Sequence, residues 1–321
     1  MMMSFSVFGS MMIAFLIVVL SGKRMIPFLL RLKVGQTVRD DGPQTHLKKN
    51  GTPTMGGAMI LIAFLIGSLP FAGAYPEVIP VVVLTVGFGL IGFADDYIKV
   101  VLKRSLGLRA WQKLVLQVIV TAVFYWYLVP FSGMSLAMKV PFMNGYYLDF
   151  GWLNVPILFF IVIGTVNGTN FTDGLDGLAS SVTAVVAAFF LIVSLILASG
   201  IDPVCGAMMG ALMGFLVYNL HPAKVFMGDT GSLALGGFVA GAAYLLQMPI
   251  FIALVGVIYL IEVLSVMLQV GYFKATHGKR IFKMAPIHHH FEQCGWSETR
   301  IVGIFTIITV LASVLAITGV W

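Results

Sequence analysis

The segment Gly92-Phe93-Ala94-Asp95-Asp96-Tyr97-Ile98-Lys99 closes an apolar run that begins near residue 77. A run of this length is long enough to cross a bilayer. Two adjacent carboxylates then stand where it ends. Like charges repel and carboxylates leave water reluctantly, so the pair requires partners. The same pattern recurs along the 321 residues: apolar runs, with polar clusters at one set of their ends.

Composition fixes the class. The chain is 59% hydrophobic and only 10% charged, against about 25% charged in soluble domains. Spanning segments in lipid must satisfy their own backbone hydrogen bonds, so repeated long apolar runs read as helices. A β-barrel would show segments of about ten residues with alternating polarity, and none occurs. The expectation is an all-α integral membrane protein with one polytopic transmembrane domain over 1–321. Ten spans are predicted: 4–22, 55–74, 77–94, 111–130, 154–170, 177–199, 203–220, a short glycine-rich 232–247, 249–271 and 300–320.

The basic residues orient these spans. Seven lie between spans one and two, five between three and four, one between seven and eight, and five between nine and ten. Of 19 Lys and Arg, only Lys139 falls on the other face. That face is expected to be cytoplasmic, with both termini outside. Topology accounts for the net charge of +6 without nucleic acid. The first span lacks a basic region before its apolar run and a small-residue cleavage site, so it does not read as a cleaved signal peptide. Cys205 within a span and Cys294 in a loop predict no disulfide.

Four polar clusters fall on the basic face. Asp95-Asp96 is the first. If its helix continues, Asp95, Lys99 and Lys103 share one stripe. The pair reads either as a solvated helix end or as a site for a divalent cation or general base beside phosphate-holding lysines. The second, Asn167-Gly-Thr-Asn170-Phe-Thr-Asp173-Gly-Leu-Asp176-Gly177, joins spans five and six with almost no loop. Capping by Thr172 or Asp173 explains one or two of its polar residues, not four. The third, Asn219-Leu-His-Pro-Ala-Lys-Val-Phe226-Met-Gly-Asp229-Thr-Gly-Ser232, precedes span eight. Asp229 reads as an N-cap or as the anchor of a Mg²⁺ carrying a pyrophosphate. The fourth, Met284-Ala-Pro-Ile-His288-His289-His290-Phe-Glu292, holds three histidines that cannot all face one point in regular structure. Zinc lacks supporting cysteines there, and contact with a diphosphate or sugar suits the imidazoles better. Glu262, within span nine, is a functional candidate or a polar group bonded to a neighbouring helix, with Gln269 two turns on.

Taken in order, KKNGTPTMGG, GFADDYIK, NGTNFTDGLDGLA, YNLHPAKVFMGDTGS and MAPIHHHFE resemble the polyprenyl-phosphate N-acetylhexosamine-1-phosphate transferase superfamily. Within it they are most similar to the phospho-N-acetylmuramoyl-pentapeptide transferase branch, with APIHHHFE the most discriminating stretch. The matches span residues from about 45 to 292. The resemblance implies a Mg²⁺-dependent reaction. UDP-N-acetylmuramoyl-pentapeptide and undecaprenyl phosphate would give lipid I and UMP for peptidoglycan synthesis, at the cytoplasmic face of the bacterial inner membrane. It also implies a homodimer. Carried onto this chain, Asp229 would bind Mg²⁺, and Asp95 would deprotonate or position the lipid phosphate, with Asp96 assisting. Asn170 and Asp173 would hold the nucleotide or sugar side. Asp176, Asn219 and Phe226 would line the pocket, Phe226 against uracil. Lys48, Lys99 and Lys103 would contact phosphates. Gln269, His288, His289 and His290 would meet the diphosphate or the sugar-peptide end. Competing readings are a transferase of N-acetylglucosamine-1-phosphate, a cation-coupled transporter built around Glu262, and a structural scaffold. The absence of repeated halves argues against the transporter.

Overall fold

The structure, a computed structural model, describes residues 2–31, 51–104 and 106–321. Helices dominate: α1 Met2–Arg31, α2 Gly57–Ser68, α3 Val78–Val100, α4 Ala110–Trp126, α5 Asn154–Thr172, α6 Leu178–Leu197, α7 Asp202–Asn219, α8 Gly228–Leu245, α9 Ile252–Val255, α10 Val257–Ala275, α11 Ile287–Gln293 and α12 Glu298–Thr318. Two short antiparallel strands, β1 Met138–Lys139 and β2 Tyr147–Leu148, lie between α4 and α5. Among the described residues, seven helices are long and apolar enough to cross a membrane.

Helices α2, α7 and α8 fall outside that seven, and α8 shows why. Every residue from Thr230 to Tyr244 is buried. A helix walled in by other helices needs no lipid-facing leucines; it needs small residues that let backbones approach. A Cβ on Gly236 would stand 2.4 Å from Val166 Cα of α5, and one on Gly237 would stand 2.9 Å from the Leu84 carbonyl of α3. The glycine content that weakens its hydropathy is thus what makes it the central helix. Apolar packing continues through Phe64 against Phe238, with ring centroids 6.2 Å apart.

Three of the boundaries that differ from the sequence reading bear on the fold. α1 runs on to Arg31 through Pro27, beyond the predicted end at 22. The ninth span is broken: Pro249–Phe251 forms a 3-10 turn, α9 follows, and α10 restarts after Gly256. A Cβ at Gly256 would meet the Ile252 carbonyl at 2.7 Å, which holds the break tight. The α3 helix stops at Val100, with Lys103 in a left-handed turn (φ 52°) and exposed. The predicted stripe of Asp95, Lys99 and Lys103 therefore stops at Lys99.

Candidate functional site

The last turn of α3, the first turns of α4 and α8, and the last turn of α5 meet at one end of the bundle. Close backbone approach makes the meeting possible. A Cβ on Gly92 would lie 2.0 Å from the Asp229 carbonyl oxygen, and one on Gly57 would lie 2.1 Å from the Gly231 nitrogen. Glycine at these two positions lets α3 and α2 press against the start of α8.

Asp96 is the hinge of this contact. Its Oδ1 accepts from the Asp229 amide at 3.1 Å; its Oδ2 accepts from the Thr230 amide at 2.8 Å and the Thr230 hydroxyl at 2.6 Å. The α8 N-terminus carries orphan N–H groups and a partial positive charge, and Asp96 answers both from a different helix. Asp229 is therefore not the cap. It stands in the first turn, with Met227 at the N-cap position, and its side chain is turned to other partners.

Those partners form the centre of the site. Asp229 Oδ1 accepts from Asn170 Nδ2 at 2.9 Å, and Asn170 also donates to Ser232 Oγ at 2.8 Å. Lys113 Nζ lies 2.8 Å and Lys99 Nζ 3.0 Å from Asp229 Oδ2. Lys99 also pairs with Asp95 Oδ2 at 2.5 Å, and Lys113 approaches that oxygen to 3.9 Å. Asp95 Oδ1 accepts from the Leu108 amide at 2.7 Å, next to Gly107 at φ 57°. Asp95 and Asp96 are buried. One ligand oxygen from each of Asp95, Asp96 and Asp229 can be chosen so that all three lie within 4.8 Å of one another. Carboxylate oxygens this close together could hold a metal ion.

Asp173 lies beside this group, just after α5. Burial raises its pKa well above the usual carboxylate range, and the charges of Asp229, Asp96 and Asp176 add to the effect; the Gly228 amide bond opposes it. Asp176 turns elsewhere. It accepts from His221 Nδ1 at 3.1 Å and the Ala223 amide at 3.0 Å, while its own amide donates to Glu298 of α12. Asn219 Oδ1 accepts from the Gly177 amide (3.1 Å) and Ser180 Oγ (3.0 Å), and Nδ2 donates to the Val225 carbonyl (3.0 Å). These bonds tie the start of α6 to the segment that carries Phe226. The Phe226 backbone in turn bridges to Pro53 and Gly56.

Histidines 288–290 point three ways. His288 is fully buried, with Nδ1 3.0 Å from Oε2 of the fully buried Glu262. A Cβ on Gly174 would lie 2.1 Å from its Nε2, so the ring packs directly on the loop that holds Asp173. His289 Nδ1 pairs with Glu292 Oε2 at 2.7 Å. His290 Nδ1 accepts from the Lys283 amide at 3.1 Å. Gln269 braces the preceding loop: Oε1 accepts from the Ile281 and Phe282 amides, both at 3.0 Å, and Nε2 donates to the Phe282 carbonyl at 3.1 Å. Thus Asp95, Asp96, Lys99, Asn170, Asp173 and Asp229 come together, whereas Asp176, Asn219, Gln269 and His288 bond to or pack on neighbouring segments. Lys103 is exposed, and Lys48 lies outside the described residues.

Sequence reading missed Lys113, Thr230 and Ser232. Lys113 is the basic residue at the start of span four, and its charge was counted only toward topology. Thr230 and Ser232 follow Asp229 in the chain, but only the approach of α3 and α5 to α8 shows that Thr230 bonds Asp96 and Ser232 bonds Asn170.

The glycosyl transferase family 4 model matches residues 78–247, which run from α3 through α8 and carry Asp95, Asp96 and Asp229. Residues 49–61 match the phospho-N-acetylmuramoyl-pentapeptide-transferase signature 1. Phospho-N-acetylmuramoyl-pentapeptide-transferases from Clostridioides difficile and Caldicellulosiruptor bescii are similar throughout. The first is 50% identical over 97% of this chain and 96% of its own; the second is 51% identical over 96% and 95%. One from Clostridium perfringens is 48% identical over 96% of each chain. The chain belongs to the phospho-N-acetylmuramoyl-pentapeptide-transferase family, and it is a multi-pass membrane protein.

Proposed function

We infer that the protein transfers phospho-N-acetylmuramoyl-pentapeptide from its UDP carrier to undecaprenyl phosphate, giving lipid I and UMP for peptidoglycan synthesis. Family membership over nearly the full chain carries this reading. The geometry supports it, because two anionic substrates need a cationic, positioned site.

In this reading an oxygen of the lipid phosphate attacks the β-phosphorus of the nucleotide sugar. The bond from that phosphorus to the bridging oxygen breaks, and the oxygen leaves on UMP. Asp95 positions the lipid phosphate and takes its proton where one is present. Lys99 and Lys113 offset the charge that builds on the phosphoryl oxygens. Asn170 and Asp173 face the nucleotide or sugar side, and Phe226 offers an aromatic face to uracil. Asp96 holds the first turn of α8 so that Asp229 keeps its place. His289 and His290 lie toward the sugar-peptide end, with Lys48 and Lys103 drawing in the anionic substrate. The carboxylate set fits Mg²⁺, which Asp229 would hold and which would neutralise diphosphate charge. A covalent phospho-aspartate route would use the same residues with a different first acceptor.

The protein works in this reading as one polytopic unit of ten spans in the bacterial inner membrane. α2, α7 and α8 complete the seven, both termini lie outside and the site faces the cytoplasm. The strongly one-sided basic residues support that orientation. A homodimer is the assembly carried over from the family resemblance. The test is detergent-purified protein given UDP-N-acetylmuramoyl-pentapeptide, undecaprenyl phosphate and Mg²⁺, with and without chelator. Release of UMP only with the lipid and the cation is expected. No UMP from this substrate, or equal release from UDP-N-acetylglucosamine, rejects the assignment.

A further inference from the structure

We propose that Lys99 and Lys113 stand in for the divalent cation in the nucleotide-free enzyme. Asp95 Oδ2 and Asp229 Oδ2 are then the oxygens that receive the cation when the lysines leave. The inference rests on the transferase reading and concerns how its metal and diphosphate enter together.

Three carboxyl groups meet in the cluster, and their oxygens are not equivalent. Both oxygens of Asp96 accept from the first turn of α8. Asp95 Oδ1 accepts from the Leu108 amide, and Asp229 Oδ1 from Asn170. Each of these donors is backbone or is itself anchored: Asn170 is also tied to Ser232. The two Oδ2 atoms remain. Asp95 Oδ2 is fully buried and makes no hydrogen bond of good geometry; lysine ammonium groups are its neighbours, at 2.5 and 3.9 Å. Asp229 Oδ2 has the same two ammonium groups at 3.0 and 2.8 Å. So the oxygens free of fixed donors are the ones the lysines cover.

A Mg²⁺ ion bonds oxygen at about 2.0–2.1 Å. Placed on either Oδ2 it would come within a few ångströms of both ammonium groups. Repulsion at that range is strong. Ion and ammonium groups therefore compete for the same oxygens. The lysines can yield: their side chains are 38% and 19% exposed, on long flexible stems. A diphosphate gives them somewhere to go. It brings negative charge to the site, binds the displaced ammonium groups and shares the cation. Metal and diphosphate then strengthen each other's binding by the same factor, while metal alone meets a covered site.

Mn²⁺ is the probe, titrated against purified full-length protein and read from the loss of the free-ion electron paramagnetic resonance signal. Without nucleotide, Lys113→Met should bind Mn²⁺ about ten- to a hundredfold more tightly than the wild type. Saturating UDP should raise Mn²⁺ affinity strongly in the wild type and much less in the variant. Asp229→Asn should lose the Mn²⁺ site. Equal or weaker Mn²⁺ binding by Lys113→Met overturns the proposal, as does full Mn²⁺ affinity in Asp229→Asn. Should Lys113→Met fail to fold, Lys99→Met on the other helix carries the same expectation and the same refutation. The titration needs no turnover, so a protein that releases no UMP would reject the transferase reading while the lysine exchange is judged on its own data.

Discussion

Gly92→Ala tests the crossing of α3 and α8 with a single methyl group. The added Cβ would sit 2.0 Å from the Asp229 carbonyl oxygen, 2.3 Å from its carbon and 2.6 Å from the Thr230 nitrogen. Carbon–oxygen contacts are rarely closer than about 3.3 Å, so the start of α8 must retreat by roughly 1 Å. The obstacle is backbone, which cannot swing aside as a flexible side chain would. Two sets of bonds stretch together: those from Asp229 and Thr230 to Asp96, now 2.6 to 3.1 Å, and that from Asn170 to Asp229, now 2.9 Å. A 1 Å misplacement of reacting groups costs about 100-fold in rate, equivalent to roughly 2.7 kcal/mol of barrier. Overpacking costs about 1–3 kcal/mol of stability. The expected variant therefore folds, melts somewhat lower, and releases UMP about 100-fold more slowly at saturating substrate. Gly303→Ala is the control: its Cβ would meet nothing within 4 Å, and alanine in a helix gains up to about 1 kcal/mol over glycine. Near wild-type turnover by Gly92→Ala would refute the claim that this contact places Asp229.

Other expectations follow from the same contacts. Asp229→Asn should abolish turnover while the protein still folds; wild-type UMP release would reject its role. Asp96→Ala removes the acceptor for three donors at the α8 start. It should cost about 1–3 kcal/mol in a thermal-unfolding assay and slow turnover at least tenfold, and an unchanged melting temperature would show that Asp96 does not brace the helix. Glu262→Ala leaves His288 buried without its neighbour and should cost about 1–3 kcal/mol. The double change Glu262→Leu with His288→Leu should recover much of that stability; if the double variant is worse than the sum of the singles, the two residues do not act as a pair. Chelation should stop UMP release and added Mg²⁺ should restore it, whereas turnover in excess chelator would exclude a divalent requirement.

The sequence by itself determined the class of this protein. Long apolar runs with polar clusters between them are local properties of the chain. They follow from the cost of placing charge and unpaired backbone in lipid, and they need no knowledge of packing. The identity of the central acids was legible for the same reason: Asp95, Asp96, Asp173 and Asp229 stand at ends of apolar runs where bland explanations leave too many polar groups. Which partner each acid meets was decided only by contact between distant segments. Asp95 and Asp96 are adjacent, yet one is paired to lysines and the other caps α8, because neighbouring side chains on a helix point about 100° apart and the two meet different partners. Lys113 joins Asp229 across 116 residues, and His288 meets Glu262 of α10. The burial of α8 likewise belongs to tertiary structure: its glycines look like weakness in a spanning helix until neighbouring backbones are seen to occupy the space a side chain would fill.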